Sequence, residues 1–258
     1  MASSPADLDP DVARVLERLA GMGLVTPEPA VVGIEAARRV NEAYFGFIAE
    51  PMPVVASVER LSIEGSGGPV DLKLIRPEIA PSGAALLYFH GGGYAFASLH
   101  THERLMRVLA RASAATVIGV EYRRTPEHPY PAALEDALTA WRWLAAGGAG
   151  RFGKQRCGLF GDSAGAHLGL TLALKLRDMG EPLPDALALA YGMYDRALTS
   201  LSHNRYGDGS YGLSTARMEW FWSQLLRRPE DCADPLANPV HADVAGLTPI
   251  AAFIAECD

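Results

Sequence analysis

Two short segments of this 258-residue chain bring together the residue types that acyl transfer needs. In CGLFGDSAGAHLGL, residues 157–170, one serine stands between glycines two positions away on either side: Gly161, Asp162, Ser163, Ala164, Gly165. The pentapeptide alone is a weak signal. Its setting makes it strong, because an apolar, strand-like run precedes it and a helical run follows. A serine at such a junction sits on a tight, strained turn that lifts its hydroxyl clear of the sheet edge. The start of the helix then contributes positive potential where negative charge will develop.

The second segment, YFHGGGYAFAS at 88–98, ends another apolar run with His90, Gly91, Gly92 and Gly93. Consecutive glycines leave amide N–H groups free to point into a cavity. A tetrahedral oxyanion needs such donors fixed in advance, and losing one typically costs about 2.7–4 kcal/mol. A glycine run by itself is more often a flexible turn, but here it shares a sheet edge with the serine motif. The two motifs together assign Ser163 as nucleophile, with the amides of Gly92, Gly93 and Ala164 as the oxyanion hole. His90, Gly91, Gly161, Asp162 and Gly165 are the structural members of the two motifs, His90 as the anchor of the glycine loop.

Strands and helices must hold these loops side by side. SVERLSIEG and VDLKLIRP alternate polar and apolar residues around Gly-Ser-Gly-Gly-Pro and predict an antiparallel hairpin. ALLYFH, TVIGVEY, CGLFG, ALALAYGMY and PIAAFIAE are short continuous apolar runs, expected as strands buried on both faces. Helical segments are predicted at about 102–113, 131–146, 164–179 and 214–227. This alternation predicts an α/β fold, a mostly parallel sheet with helices on both faces. Ahead of it, Leu8, Val12, Val15, Leu16 and Leu19 recur at helical spacing, and a second helix is expected over about 33–47. The aromatic-rich stretch 202–226 lies between two strands, where Tyr206, Tyr211, Trp220 and Trp222 suggest a narrow pocket.

Composition narrows the function further. The formal charge of −7, with no basic cluster, disfavours nonspecific nucleic-acid binding. Cys157, Cys232 and Cys257 are far apart and odd in number, which argues for a reducing compartment. The N-terminal stretch is acidic where a signal peptide would be basic, and no apolar stretch is long enough to span a bilayer. The expected location is cytoplasmic, with no membrane span.

These motifs resemble the hormone-sensitive-lipase family of α/β-hydrolases, the bacterial esterases that carry HGGG and GDSAG. EYRRTPEHPYPAALEDALTAWRWLA is similar to that family's Tyr-Arg-Leu-Ala-Pro-Glu-His segment, with Arg124 and Thr125 in place of Leu and Ala. DPLANPVHADVAGL and the closing AECD look like the approach to the family's acid strand, so the likeness runs from about Ala6 to Asp258. The resemblance implies the α/β-hydrolase fold, with residues 1–50 as an N-terminal helical cap. Residues 51–258 would form the core, with a cap insertion at about 200–227. It implies a serine esterase for short-chain acyl esters, working through an acyl-enzyme on Ser163. No cofactor or metal is expected, and the partner is a small-molecule ester.

Three carboxylates compete to be the triad acid. Asp234 precedes its strand and would lie at the wrong end of the sheet. Asp195 follows the ALALAYGMY strand, a position some α/β-hydrolases use. Asp258 follows PIAAFIAEC, where the family places its acid, and is the preferred choice. The family's histidine comes after the acid, and the sequence has no residue past 258. The expectation is a C-terminally truncated chain that lacks the last strand and helix and is inactive or nearly so alone. None of the seven histidines fits the missing position. His167 belongs to a packed helix, His100 and His102 suit a hydrogen-bonding or rim role, and His128, His203 and His241 fall in loops. The exposed edge of the 251–255 strand would invite aggregation or pairing, including a homodimer. The alternative reading is a non-catalytic small-molecule-binding protein on the same scaffold, as in plant hormone receptors similar to this family.

Overall fold

Seven strands form one sheet in the computed structural model, which describes residues 8–49, 51–78, 83–148, 151 and 156–256. They are β1 Ser57–Ile63, β2 Val70–Arg76, β3 Ala85–Phe89, β4 Thr116–Glu121, β5 Cys157–Asp162, β6 Ala186–Ala190 and β7 Ile250–Phe253. The spatial order is β1-β2-β4-β3-β5-β6-β7. The predicted hairpin closes with Ile63 opposite Val70, and β2 runs antiparallel to β4. From β4 to β7 every pairing is parallel.

The helices are α1 Pro10–Gly21, α2 Pro29–Val32, α3 Ile34–Ile48, α4 Glu103–Ser113, α5 Ala132–Ala145, α6 Ala164–Met179, α7 Leu201–Tyr206 and α8 Thr215–Leu225. Helix α4 carries the chain from β3 outward to β4, whereas α5 and α6 carry it back across the sheet. Right-handed crossovers in opposite directions put α4 on one face and α5 and α6 on the other. The side chains sort accordingly with a period of two. Leu87 and Phe89 of β3 join Ile118 and Val120 of β4 in the core under α5 and α6. Tyr88 and Val117 point the other way, onto Met106 and Ala110 of α4.

That reversal fixes the site. Strands β3 and β5 are neighbours, with Phe89 opposite Gly161, but their connections leave in opposite directions. A crevice opens at the carboxyl ends of strands at such a switch point. The glycine loop leaves β3 there and Ser163 leaves β5 there.

One expectation about burial fails. Strand β7 is exposed along its whole length, because among the described residues it is the last strand and no helix covers it. In α1 only Leu19 is buried, while Val12 and Val15 are each 45% exposed. The expected helix is there, with Leu19 buried, Leu16 half-buried and the two valines at the surface. The stretch 202–226 is two helices, α7 and α8, rather than one, and the short α2 had no periodic signal. Among the described residues no helix is long and apolar enough to cross a membrane.

Candidate active site

Ser163 is the single residue between β5 and α6, and its backbone is held at φ +52° and ψ −119°. That region is costly for a residue with a side chain, and its occupation at a strand-to-helix junction marks a functional turn. The turn is fastened on both sides: the Ser163 amide donates to Ala190 O at 2.8 Å, and its carbonyl accepts from the His167 amide at 3.1 Å. The flanking glycines make it possible. A Cβ on Gly165 would strike the Phe89 carbonyl oxygen, and one on Gly161 would strike the Gly165 carbonyl.

The glycine loop abuts the serine. A Cβ on Gly91 would stand 3.2 Å from the Ser163 Cβ. Gly92 turns at φ +112° and its carbonyl accepts from the Ala95 and Phe96 amides, which curls the loop back on itself. Among the described residues, the Gly92 and Gly93 amides donate to no backbone carbonyl. Ala164 is the first residue of α6, so its N–H lies among those that a helix leaves without an internal partner. Of the sequence-assigned donors, Gly92 lines the cavity with Ser163 and Ala164 follows it directly, while Gly93 is not among the lining residues and packs against Phe221.

His90 anchors the loop from below. Its Nδ1 lies 2.7 Å from Gly91 O, its ring stacks on Tyr122 at 4.3 Å, and the Tyr122 hydroxyl donates to His90 O at 2.7 Å. Burial, reinforced by nearby His102, pushes its pKa down to about 3, so the ring is neutral. Asp162 is buried next to the serine. The Tyr88 hydroxyl donates to its Oδ1 at 2.6 Å, and His102 Nε2 stands 3.6 Å from Oδ2. Burial would raise this carboxyl, but His102 and Tyr88 outweigh it and hold it below the usual range.

Ser163, Gly92, Asp162 and His102 open on a cavity of about 780 Å³. Tyr44, Phe45 and Ile48 of α3 form one wall; Tyr206 and Tyr211 are among the lining residues from the 202–226 stretch. Trp220 and Trp222 do not line it. Trp220 stacks on Phe96, and Trp222 is buried against His167. A space of this size is not the narrow pocket that four aromatics suggested.

The candidate acids and bases separate cleanly. Asp195 lines the cavity, with Oδ1 accepting from the Ala197 amide. Asp234 is engaged by the Tyr130 hydroxyl at 2.6 Å. Asp258 lies outside the described residues, although β7 does run toward the edge that holds Ser163, with Phe253 O accepting from the Tyr191 amide. His167 is buried with Nδ1 2.5 Å from the Tyr94 hydroxyl, and burial lowers its pKa to about 3. His102 lies 2.9 Å from Thr101 Oγ1 through Nδ1, and His203 lies 2.6 Å from Ser200 Oγ.

Residues 86–258 match the family described as alpha/beta hydrolase fold. The chain belongs to that family. Within it, the hormone-sensitive-lipase likeness holds, and the hydrolase is esterase-like. It is 37% identical over 262 residues to an ethyl acetate hydrolase of Pseudomonas putida, covering 97% of this chain and 81% of that one. It is 40% identical over 212 residues to an acetyl-hydrolase of Streptomyces hygroscopicus, covering 82% of this chain and 66% of that one. The solved structure of a hyperthermophilic esterase from Pyrobaculum calidifontis superposes with a TM-score of 0.87 at 32% identity, over 97% of this chain and 80% of that one.

Sequence reasoning missed Arg38, which ties the hydrolase's α3 to the glycine loop. Its Nε donates to Ala95 O at 2.8 Å, Nη2 donates to Thr125 O at 2.8 Å, and Nη1 pairs with Glu127 at 2.7 Å. A signal existed. Arg38 lies four residues after Ile34 and seven before Phe45, on the inward stripe of α3, where a lone arginine needs buried acceptors.

Proposed function

We propose that the chain is a serine esterase for short-chain acyl esters. Ser163 Oγ attacks the ester carbonyl, and the amides of Gly92, Gly93 and Ala164 hold the oxyanion that forms. Collapse of that adduct expels the alcohol and leaves an acyl-serine, which water then hydrolyses. Asp258 is assigned to orient the histidine that moves the proton from serine to the leaving alcohol. The α1–α3 segment and the 202–226 stretch serve as the cap over the acyl site. The observation that carries this reading is the strained Ser163 turn lying against a glycine loop whose amides are uncommitted. The acetyl-cleaving names of the relatives support the short acyl group.

His90 and His167 are buried on other partners, and His102 and His203, which line the cavity, are held by Thr101 and Ser200; the reading assigns none of them as the base. The 258-residue chain alone is therefore expected to turn over 4-nitrophenyl acetate little above the blank. Robust hydrolysis abolished by Ser163→Ala would show that another residue acts as base. A 4-nitrophenyl phosphonate separates the esterase from a binding protein that merely uses the cavity. Slow loss of nitrophenolate with a covalent adduct on Ser163, seen by peptide mass and absent in Ser163→Ala, supports the nucleophile. Ligand binding with no adduct at any time favours the non-catalytic reading.

A further inference from the structure

The cavity beside Ser163 holds a cation that no carboxylate among the described residues pairs with. Arg104, in the first turn of α4, lines it together with Tyr44, Phe45 and Ile48 of α3. Its Nε is shut off from solvent without a hydrogen-bond partner. Arg38, Arg107, Arg123 and Arg217 each face a carboxylate at 3.0 Å or less; Arg124 is held by the Ala97 carbonyl, whereas Arg104 pairs with no carboxylate among the described residues. The carboxylate next to Arg104 in sequence is no help. Glu103 is turned away into Lys73 at 2.9 Å and Arg107 at 2.6 Å.

The cavity's own acids lie elsewhere or are spoken for. Asp162 is engaged by Tyr88 and faces His102. Asp195 follows β6, on the far side of β5 from β3 and α4. The wall formed by α4 is thus the positive side of the cavity, and the N-terminal end of this 11-residue helix adds to that sign. A guanidinium that lines a cavity without a carboxylate partner presents a planar fork that matches a carboxylate better than any neutral group.

We propose that Arg104 is a specificity-determining residue that receives a carboxylate, so that the esters this chain takes are monoanionic. The carboxylate rests on the α4 wall while the ester carbonyl lies at Ser163. The proposal rests on the esterase reading of the cavity and deepens it.

The test compares two probes, monoethyl succinate and diethyl succinate, titrated calorimetrically into the full chain carrying Ser163→Ala, so that turnover plays no part. The monoanion is expected to bind about tenfold tighter than the diester, the scale of a charge-assisted pair. Adding Arg104→Gln collapses the ratio to about one, and Arg104→Lys, which keeps the charge without the fork, restores only part of it. An unchanged melting temperature in each variant shows that the fold is intact. A monoanion that binds no tighter, a preference that survives Arg104→Gln, or binding of neither ester overturns the proposal. Failure of ester hydrolysis by the unsubstituted chain is a separate result and bears on the esterase reading alone.

Discussion

Each atom around Ser163 is placed by a neighbour that cannot move. A Cβ on Gly165 would meet the Phe89 carbonyl, backbone against backbone, with no flexible end to yield. Gly165→Ala is expected to cost about 3 kcal/mol or more, as overpacking of rigid cores does. Gly46 lies inside α3 with nothing within 4 Å of its would-be Cβ, so Gly46→Ala is expected to stabilise by about 0.5–1 kcal/mol. Urea unfolding of the two variants checks the opposite signs. His90 and His167 set the acid limit. Both have pKa values lowered to about 3 by burial, below the unfolded value of about 6.5, so the unfolded chain binds more protons. Their neutral burial contributes stability that is fully present above about pH 6.5 and lost as pH falls toward 3, roughly 2 kcal/mol each by pH 5. The fall in unfolding free energy between pH 7 and 5 is expected to shrink by about half in His167→Gln. The Ser163 and triple-glycine motifs were legible because their chemistry is written in adjacent residues. Arg104 and the Tyr88–Asp162–His102 cluster were not, because their members come from separate segments that only the fold brings together.

Among the elements, α3 is tied to the glycine loop by the side chain of Arg38. Arg38 spans from α3 to the carbonyls of Ala95 and Thr125 and to Glu127, joining the helix that walls the cavity to the loop that holds the oxyanion donors. Arg38→Ala strands two backbone carbonyls and frees that wall. It is expected to lower stability by about 1–3 kcal/mol and to raise amide hydrogen exchange over residues 34–48 more than over α5 or α6. Arg38 also holds the Glu127 carboxyl down to about 2, so the pairing is present above the ordinary carboxylate range and lost only as pH falls through about 2. Exchange at pH 4 should therefore still show α3 protected. Equal protection in Arg38→Ala would mean that packing, chiefly Phe45 on His102 at 4.8 Å, holds the helix instead. The strands and long helices were readable from periodicity because burial on one or two faces leaves a period of 2 or 3.6 in the residues. Helices α2 and α7, of four and six residues, complete too few turns to leave one. The stripe in α1 shows the reverse: Val12 and Val15 keep the spacing without the burial.

Taken whole, the molecule covers its sheet unevenly. Helices α4, α5 and α6 bury most of β3 and β4 and half of β5, but β7 carries no layer among the described residues. Ile250 is 39%, Phe253 55% and Ile254 86% exposed. An outermost strand also presents a row of N–H and C=O groups with no partner strand, and apolar side chains on it favour pairing with another chain. Reading PIAAFIAE as a doubly buried strand followed from its composition, which reports what a strand would bury and not whether anything lies over it. The 258-residue chain is therefore expected to self-associate with rising concentration through this edge. Phe253→Lys with Ile254→Lys should weaken that association by roughly tenfold, since inserted charge on an edge strand opposes strand addition. Sedimentation velocity across a micromolar to sub-millimolar series reads the effect, and an unchanged melting temperature excludes unfolding as its cause. If the series is unaltered by both lysines, association runs through the other exposed apolar positions, such as Val31 at 81% and Leu201 at 88%, which lie on α2 and α7.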